Sequence, residues 1–416
     1  MGKVERGGRP MLEKTLTTTC AIAGGGPAGM MLGLLLARAG VDVTVLEKHG
    51  DFLRDFRGDT IHPSTLEVMH ELGLLDGLLA RPHQKMSEVG VHIGDEHLTA
   101  ADFSHLPTRC KFVAFMPQWD FLDFLAEAGR RYPGFHLHMN AEATGLLEDA
   151  GRVAGIRAAT PDGTLDIRAD LVVGADGRGS VVREKAGLDV LDIGAPFDVL
   201  WMRLTRRADD ALETLGRVDM GHIFITIDRG DYWQCAFVIG KGELEDWKTK
   251  GIEAFRETIA ALQPHMADRT GELRSWDDVK LLTVKVDRLR EWARDGLLCI
   301  GDAAHAMSPV GGVGINLAIQ DAVAAANILA GPLRQKRLTL ADLRAVQRRR
   351  DFPTRVTQGV QVFIQNRVLG PALRRKGRMK APLPLKLLGR FPLLRRIPGY
   401  AVGLGVRPEH VEVEER

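Results

Sequence analysis

Two glycine-rich passages hold the residues of this 416-residue chain best suited to chemistry. The first is Gly24-x-Gly26-x-x-Gly29, with Pro27 and Ala28 between the last two glycines. Glycines at that spacing give a tight turn, a bare backbone that can approach a pyrophosphate, and close helix–strand packing. An acid, Glu47, follows 23 positions after Gly24, beside Lys48. A carboxylate there can accept hydrogen bonds from a ribose 2′-hydroxyl, which favours FAD or NAD over NADP. The second passage is GDAAHAMSPVGGVGIN, residues 301–316. Asp302 stands just past an apolar run, where its carboxylate could hold the hydroxyls of a polyol chain. Gly311, Gly312 and Gly314 then strip the backbone bare. A flat ring could lie there and receive main-chain N–H bonds, while the following helix dipole favours negative charge on it.

Such residues need a frame. Thr17–Ala23 and Val41–Leu46 read as short buried strands and Met30–Arg38 as a helix, so the first passage is the turn of a βαβ unit. The uncharged stretch 21–37 has the apolarity of a membrane span, but three glycines and a proline interrupt it where lipid would not tolerate open backbone. Residues 151–160 and 164–168 flank Pro161-Asp162-Gly163 as a hairpin. Leu171–Val173 and Leu297–Ile300 are further buried strands. HIFITI and YWQCAFVI, at 222–227 and 232–239, predict an antiparallel sheet with one face toward a core or cavity. Ile315–Leu329 reads as an alanine-rich helix, and the chain after Thr339 as largely helical and basic. Hydrophobic residues at 45% and charged residues at 26% are the balance of an ordinary globular protein. Cys20, Cys110, Cys235 and Cys299 show no CxxC spacing, which disfavours a disulfide framework or a metal site and fits a reducing cytosol. The first sixteen residues are polar and read as a disordered leader without a secretory signal.

The fingerprint with Glu47, the run Asp176-Gly177-Arg178-Gly179-Ser180-Val181-Val182-Arg183, and Gly301-Asp302-Ala303-Ala304-His305 with Pro309 together resemble the single-component FAD-dependent aromatic monooxygenases of the p-hydroxybenzoate hydroxylase and ubiquinone-biosynthesis hydroxylase type. The resemblance covers about residues 17–340. It implies an α/β fold: a Rossmann-like FAD-binding domain, an inserted antiparallel substrate sheet, and C-terminal helices. The expected division is 16–80 with 106–188 and 285–335 for FAD, 81–105 with 189–284 for substrate, and 336–416 as a basic helical segment. It also implies that Asp302 binds the ribityl chain, that Gly312, Gly314, Ile315 and Asn316 meet the isoalloxazine ring, and that Asp176 and Arg183 serve FAD and a visiting nicotinamide. The reaction it implies uses NAD(P)H and O2 to hydroxylate or epoxidise an aromatic, phenolic or quinone-like molecule through a flavin hydroperoxide. The cofactor carries that chemistry, so the lack of a convincing nucleophile–base set or metal cluster is expected.

Other positions match by local pattern. Arg57 stands where the family has an arginine near FAD, and Gln118 where a glutamine meets the cofactor; surface solvation and a helix start are their plainer readings. His222, Tyr232 and Gln234 could line the pocket, with Pro309 beside the ring, while His305 suits a supporting hydrogen bond. The chain lacks a WxWxIP run, a second nicotinamide fingerprint, and a thioredoxin-like extension. Alternatives on the same scaffold are a reductase of isoprenoid or polyene substrates and a non-catalytic carrier. Residues 352–408 contain twelve Lys or Arg and no acid. They could touch an anionic bilayer at the inner face of the membrane, though three proline-interrupted pieces favour closing helices with a solvated basic face. Aromatic interleaving is too sparse for nucleic acid.

Overall fold

The computed structural model describes residues 14–53, 60–210, 215–375 and 377–416. Two large sheets organise it. The first has eight strands, with Lys14–Ala23 at its centre. That strand pairs in parallel with Gly163–Gly174 on one side and Val43–Leu46 on the other; Leu297–Cys299 and Phe135–His138 extend the parallel set. The runs CAIA, VTVL and LVVG are wholly buried, as a parallel sheet covered on both faces requires. Helices Pro27–Arg38, Gln118–Gly129 and Gly314–Arg334 pack together against it. This is the expected Rossmann-like α/β architecture. The hairpin at Thr160–Gly163 also forms, and Arg152–Thr160 continues into pairing with Glu142–Asp149.

The first strand begins earlier than the sequence suggests. Lys14, Thr15 and Leu16, read as part of a disordered leader, pair with Leu165, Asp166 and Ile167. The rest of that segment lies outside the described residues, as does Arg57. The alanine-rich helix likewise runs further, from Gly314 through Pro332 to Arg334. It is long and apolar enough to cross a membrane, but it is buried in the core.

The second sheet has seven strands. Lys280–Leu282, Phe197–Thr205, Tyr232–Gly240, His222–Asp228 and Leu215–Asp219 run antiparallel in that order, and Glu88–Ile93 joins in parallel, followed by Glu96–Asp102. One face carries Phe224, Trp233 and Phe237 and is covered by helices Leu244–Lys250 and Ile252–Leu262 through Trp247 and Phe255. The other face presents Val199, Trp201, Ile225 and Val238 toward Val310 of the second glycine-rich passage. Both faces are therefore buried, which is why HIFITI and YWQCAFVI show no polar alternation. A long helix, Leu340–Ile364, starts at a capping box formed by Thr339 and Asp342 and crosses behind the core.

Candidate functional site

The first glycine motif and the Asp176-Gly177 motif meet at one joint. Gly24 has φ +106°, and a Cβ there would collide with the Ala175 carbonyl and fall 2.8 Å from the Asp176 Cα. Only glycine fits this approach. A Cβ at Gly29 would collide with the Gly24 carbonyl, so the turn and the helix behind it are equally close. Glu47 sits beneath the turn: its carboxylate accepts from Gly25 N (3.2 Å) and His49 N (3.0 Å). Lys48 beside it is exposed. At Gly26 a Cβ would meet nothing within 4 Å, and the helix it precedes, opened by Pro27 and Ala28, has neither a side-chain cap nor an acid in its first turn. Its leading N–H groups are thus left for an anion.

Asp176 and Arg183 are turned onto the protein instead of into this space. The Asp176 carboxylate accepts from Ser180 Oγ (2.5 Å) and Val182 N (3.1 Å), and burial pushes its pKa up. Arg183 donates to the Arg178 carbonyl (2.5 Å), the Ala303 carbonyl (3.4 Å) and Asp287 (3.4 Å), strapping this loop to the Gly301-Asp302 turn. Both therefore hold the loop in position. Asp302 projects at the strand end, its side chain one-third exposed, and accepts from Arg178 Nε at 3.1 Å.

Gly301 is the second joint. With φ +58°, its missing Cβ would lie 3.0 Å from Ala28 Cβ and 3.3 Å from Ala318 Cβ, between the first turns of two helices. Its N–H donates to Asp321 (3.0 Å). The other Asp321 contacts are His305 Nε2 at 2.6 Å and Arg350 Nε at 3.0 Å; Arg350 also reaches Glu409 at 3.3 Å. His305 packs its ring on Trp292, 4.9 Å between centroids. Burial alone would raise the Asp321 carboxyl, but His305 and the Arg350 guanidinium hold it below the usual range. The sequence reading missed Asp321, Arg350 and Glu409. The signal was there: Asp321 is the one acid in the alanine-rich helix Gly314–Arg334.

The second glycine-rich passage then runs into the helix Gly314–Arg334. A Cβ at Gly312 would lie 2.5 Å from Thr60 Oγ1, which donates to the Gly312 carbonyl at 2.8 Å. At Gly314 a Cβ would meet nothing within 4 Å, and this helix also starts without a side-chain cap or first-turn acid. Ile315 is buried beside it. The Asn316 side chain is held by the protein. Its Oδ1 accepts from His62 N (3.0 Å) and Thr65 Oγ1 (2.6 Å), so only its main chain can face a ring. His62, lowered by burial to about 4 and hence neutral at pH 7, donates from Nδ1 to the Val402 carbonyl at 2.8 Å.

Of the expected pocket residues, His222 is on the wrong face. Its ring packs 5.3 Å from Phe237 and 5.8 Å from Trp247, in the layer covered by helices. Strand parity puts Tyr232 and Gln234 on the opposite face, toward Val310. Tyr232 lies under the Arg203 guanidinium, 4.7 Å from its centroid, and Gln234 accepts from Arg229 Nε at 3.1 Å. Pro309 heads the short turn before the glycines, and Gln118 opens the helix Gln118–Gly129. Trp201 and Ile225 join the apolar face toward Val310 to a cluster of Phe103, Phe115, Ile227 and Leu404.

Two open cradles, above Gly26 and Gly314, thus flank a pinch at Gly301 with a carboxylate, Asp302, at its edge. An elongated ligand with a pyrophosphate, a polyol chain and a flat ring fits that sequence of groups, as FAD does.

The family described as "FAD binding domain" matches residues 17–360. The chain is 34% identical over 395 residues to 6-methylpretetramide 4-monooxygenase of Streptomyces rimosus, covering 94% of this chain and 93% of that protein. It is 25% identical to para-nitrophenol 4-monooxygenase of Pseudomonas sp. strain WBC-3, over 80% and 82% of the two chains. It spans 61% of the length of rifampicin monooxygenase of Rhodococcus hoagii, at 27% identity over 72% of this chain. Among solved structures, the p-nitrophenol 4-monooxygenase PnpA of Pseudomonas putida DLL-E4 shares the fold with a TM-score of 0.76 at 20% identity, covering 95% of this chain and all of that one. The chain belongs to the FAD binding domain family and is an FAD-dependent aromatic-compound monooxygenase.

Two outcomes follow from this geometry. Asp302→Ala should fold and purify largely without flavin, read from the visible absorbance per protein; a normal flavin content would remove the ribityl assignment. Asp321→Asn removes one of the two carboxylates facing the buried Arg350, leaving Glu409, and should cost about 1–3 kcal/mol in denaturant unfolding. Asp321 has a depressed folded pKa, so its contribution is complete above the unfolded carboxyl value of about 4. It is lost as pH falls through the lower folded value, and the gap between wild type and variant should narrow there.

Proposed function

We propose that this flavin monooxygenase uses NAD(P)H and O2 to hydroxylate a flat, multi-ring aromatic or quinone-like molecule of the polyketide type. The observation that carries the reading is the pinch at Gly301, which holds two uncapped helix starts together beside Asp302. The relative matched over nearly the whole of both chains, whose name specifies oxygenation of 6-methylpretetramide, supports a multi-ring substrate. When bound, FAD supplies the electron transfer and oxygen activation that no side chain provides.

The chain's own residues bind and orient. The leading amides after Gly26 hold the pyrophosphate, Glu47 the adenosine ribose and Asp302 the ribityl hydroxyls. The amides from Gly312 to Asn316 receive the ring, with the helix dipole favouring negative charge on it. Trp201, Ile225 and Ile227 exclude water and sandwich the substrate. Tyr232 and Gln234 lie on the same face, where they can meet its polar edge. In this reading the parts 16–80, 106–188 and 285–335 hold the cofactor, the parts 81–105 and 189–284 hold the substrate, and 336–416 closes the structure. The chain acts in the cytoplasm, with its basic C-terminal segment at the inner face of the membrane.

Purified protein should be yellow, and flat multi-ring phenols should accelerate NADPH oxidation with matching O2 uptake and a product heavier by one oxygen atom. NADPH oxidation that saturates a substrate double bond without O2 uptake would point to a reductase. Colourless protein would leave a carrier.

A further inference from the structure

Two short helices near the C-terminus, Leu383–Arg390 and Pro392–Gly403, pack against each other and on the outer strand Glu96–Asp102 of the second sheet. Their inner faces carry glycines that let the backbones touch. A Cβ at Gly399 would collide with the Asp102 carbonyl, and one at Gly389 would come 2.8 Å from Leu98. Their outer faces are the reverse. Leu383, Leu393 and Ile397 are 69%, 66% and 69% exposed, and Leu387, Phe391 and Tyr400 stand out of the surface with them. Of the sixteen large apolar side chains exposed among the described residues, seven fall within 383–400. That concentration is far from the scatter expected of a water-facing surface.

The segment that carries this ridge is basic, and no acid lies in it. Residues 377–408 contain Arg378, Lys380, Lys386, Arg390, Arg395, Arg396 and Arg407 but no Asp or Glu. Lys386 reaches out to Glu96 on the strand below (2.8 Å), and Arg378 to Asp95 (3.0 Å). We propose that this two-helix face lies flat on an anionic lipid bilayer, its leucines and Ile397 below the headgroups and the positive charge of the segment drawing the headgroup phosphates. Helices carrying a large apolar row beside cations bind in that interfacial plane. The charge argues against a second copy, since a two-fold interface would set this basic face against itself.

The face gives the membrane contact proposed above its residues, rests on that contact, and is independent of the hydroxylation. It also bears on the pocket. The helix Pro392–Gly403 ends in Val402, bonded through its carbonyl to His62, and is followed by Leu404, which packs with Phe103, Phe115 and Ile227. A lipophilic substrate could thus arrive at the apolar wall from the lipid side.

The test uses full-length, flavin-loaded protein and flotation with phosphatidylcholine vesicles, with and without phosphatidylglycerol. Wild type should co-float with the anionic vesicles about tenfold more than with neutral ones, and added salt should weaken the binding. The double variant L393E/I397E should stay in the soluble fraction with unchanged melting temperature and flavin content. Absence of flotation, or equal flotation of the variant, would overturn the proposal. So would a lipid-free dimer that the variant dissociates, which would assign the face to a second copy. Failure to turn over any multi-ring phenol, with flotation intact, would sink the hydroxylase substrate reading and sustain the lipid face.

Discussion

The absence of a side chain at Gly301 sets the geometry of the whole site. The turn passes between Ala28 and Ala318, at the first turns of the helices Pro27–Arg38 and Gly314–Arg334. Any Cβ would push the two helix starts apart, and with them the two open cradles. The main-chain N–H at this point is fixed by Asp321, which is itself fixed by His305 and Arg350. A buried carboxylate is costly unless its lone pairs are matched, and here one oxygen takes the N–H and the imidazole while the other takes the guanidinium. The charges thus act as a rigid mount for backbone amides. Asp302 next to it inherits its position from the same mount.

This explains how so much of the cofactor side was legible in the sequence. A requirement for glycine is written in the glycine itself, even where the approach is to a distant stretch, as with Gly24 to Ala175 and Gly312 to Thr60, and the spacing of Gly24, Gly26 and Gly29 or of Gly311, Gly312 and Gly314 makes it visible. What the polar side chains do there is not local. Asn316 is claimed by His62 and Thr65, 254 and 251 positions earlier in the chain, and Arg350 finds Glu409 59 positions later. No spacing rule brings such partners together, so the anchoring of the Asn316 side chain and the Asp321 network went unseen.

The substrate side was less legible for a different reason. Facing is readable from a strand when polar and apolar residues alternate, because one face is wet. In 222–227 and 232–239 both faces are buried, one under the helices bearing Trp247 and Phe255 and the other toward Val310. Parity then carries no label, and His222 can be placed on either side with equal ease. Only the register, pairing Phe224 with Phe237 and Ile225 with Ala236, decides it. That Glu88–Ile93 joins this sheet across more than a hundred residues of chain was likewise beyond periodicity.

These two kinds of legibility correspond to two kinds of constraint. The cofactor side depends on bare main chain, at close approaches such as Gly24, Gly29 and Gly312 and at open helix starts such as Gly26 and Gly314. The apolar cluster proposed as the substrate wall comes from three distant stretches: Phe103 and Phe115, then Trp201, Ile225 and Ile227, and finally Leu404 from beyond the closing helices. Apolar side chains of similar volume can replace one another there at modest cost while the shape of the cavity changes. The fold can thus keep its chemistry fixed by backbone and vary its substrate by side chain.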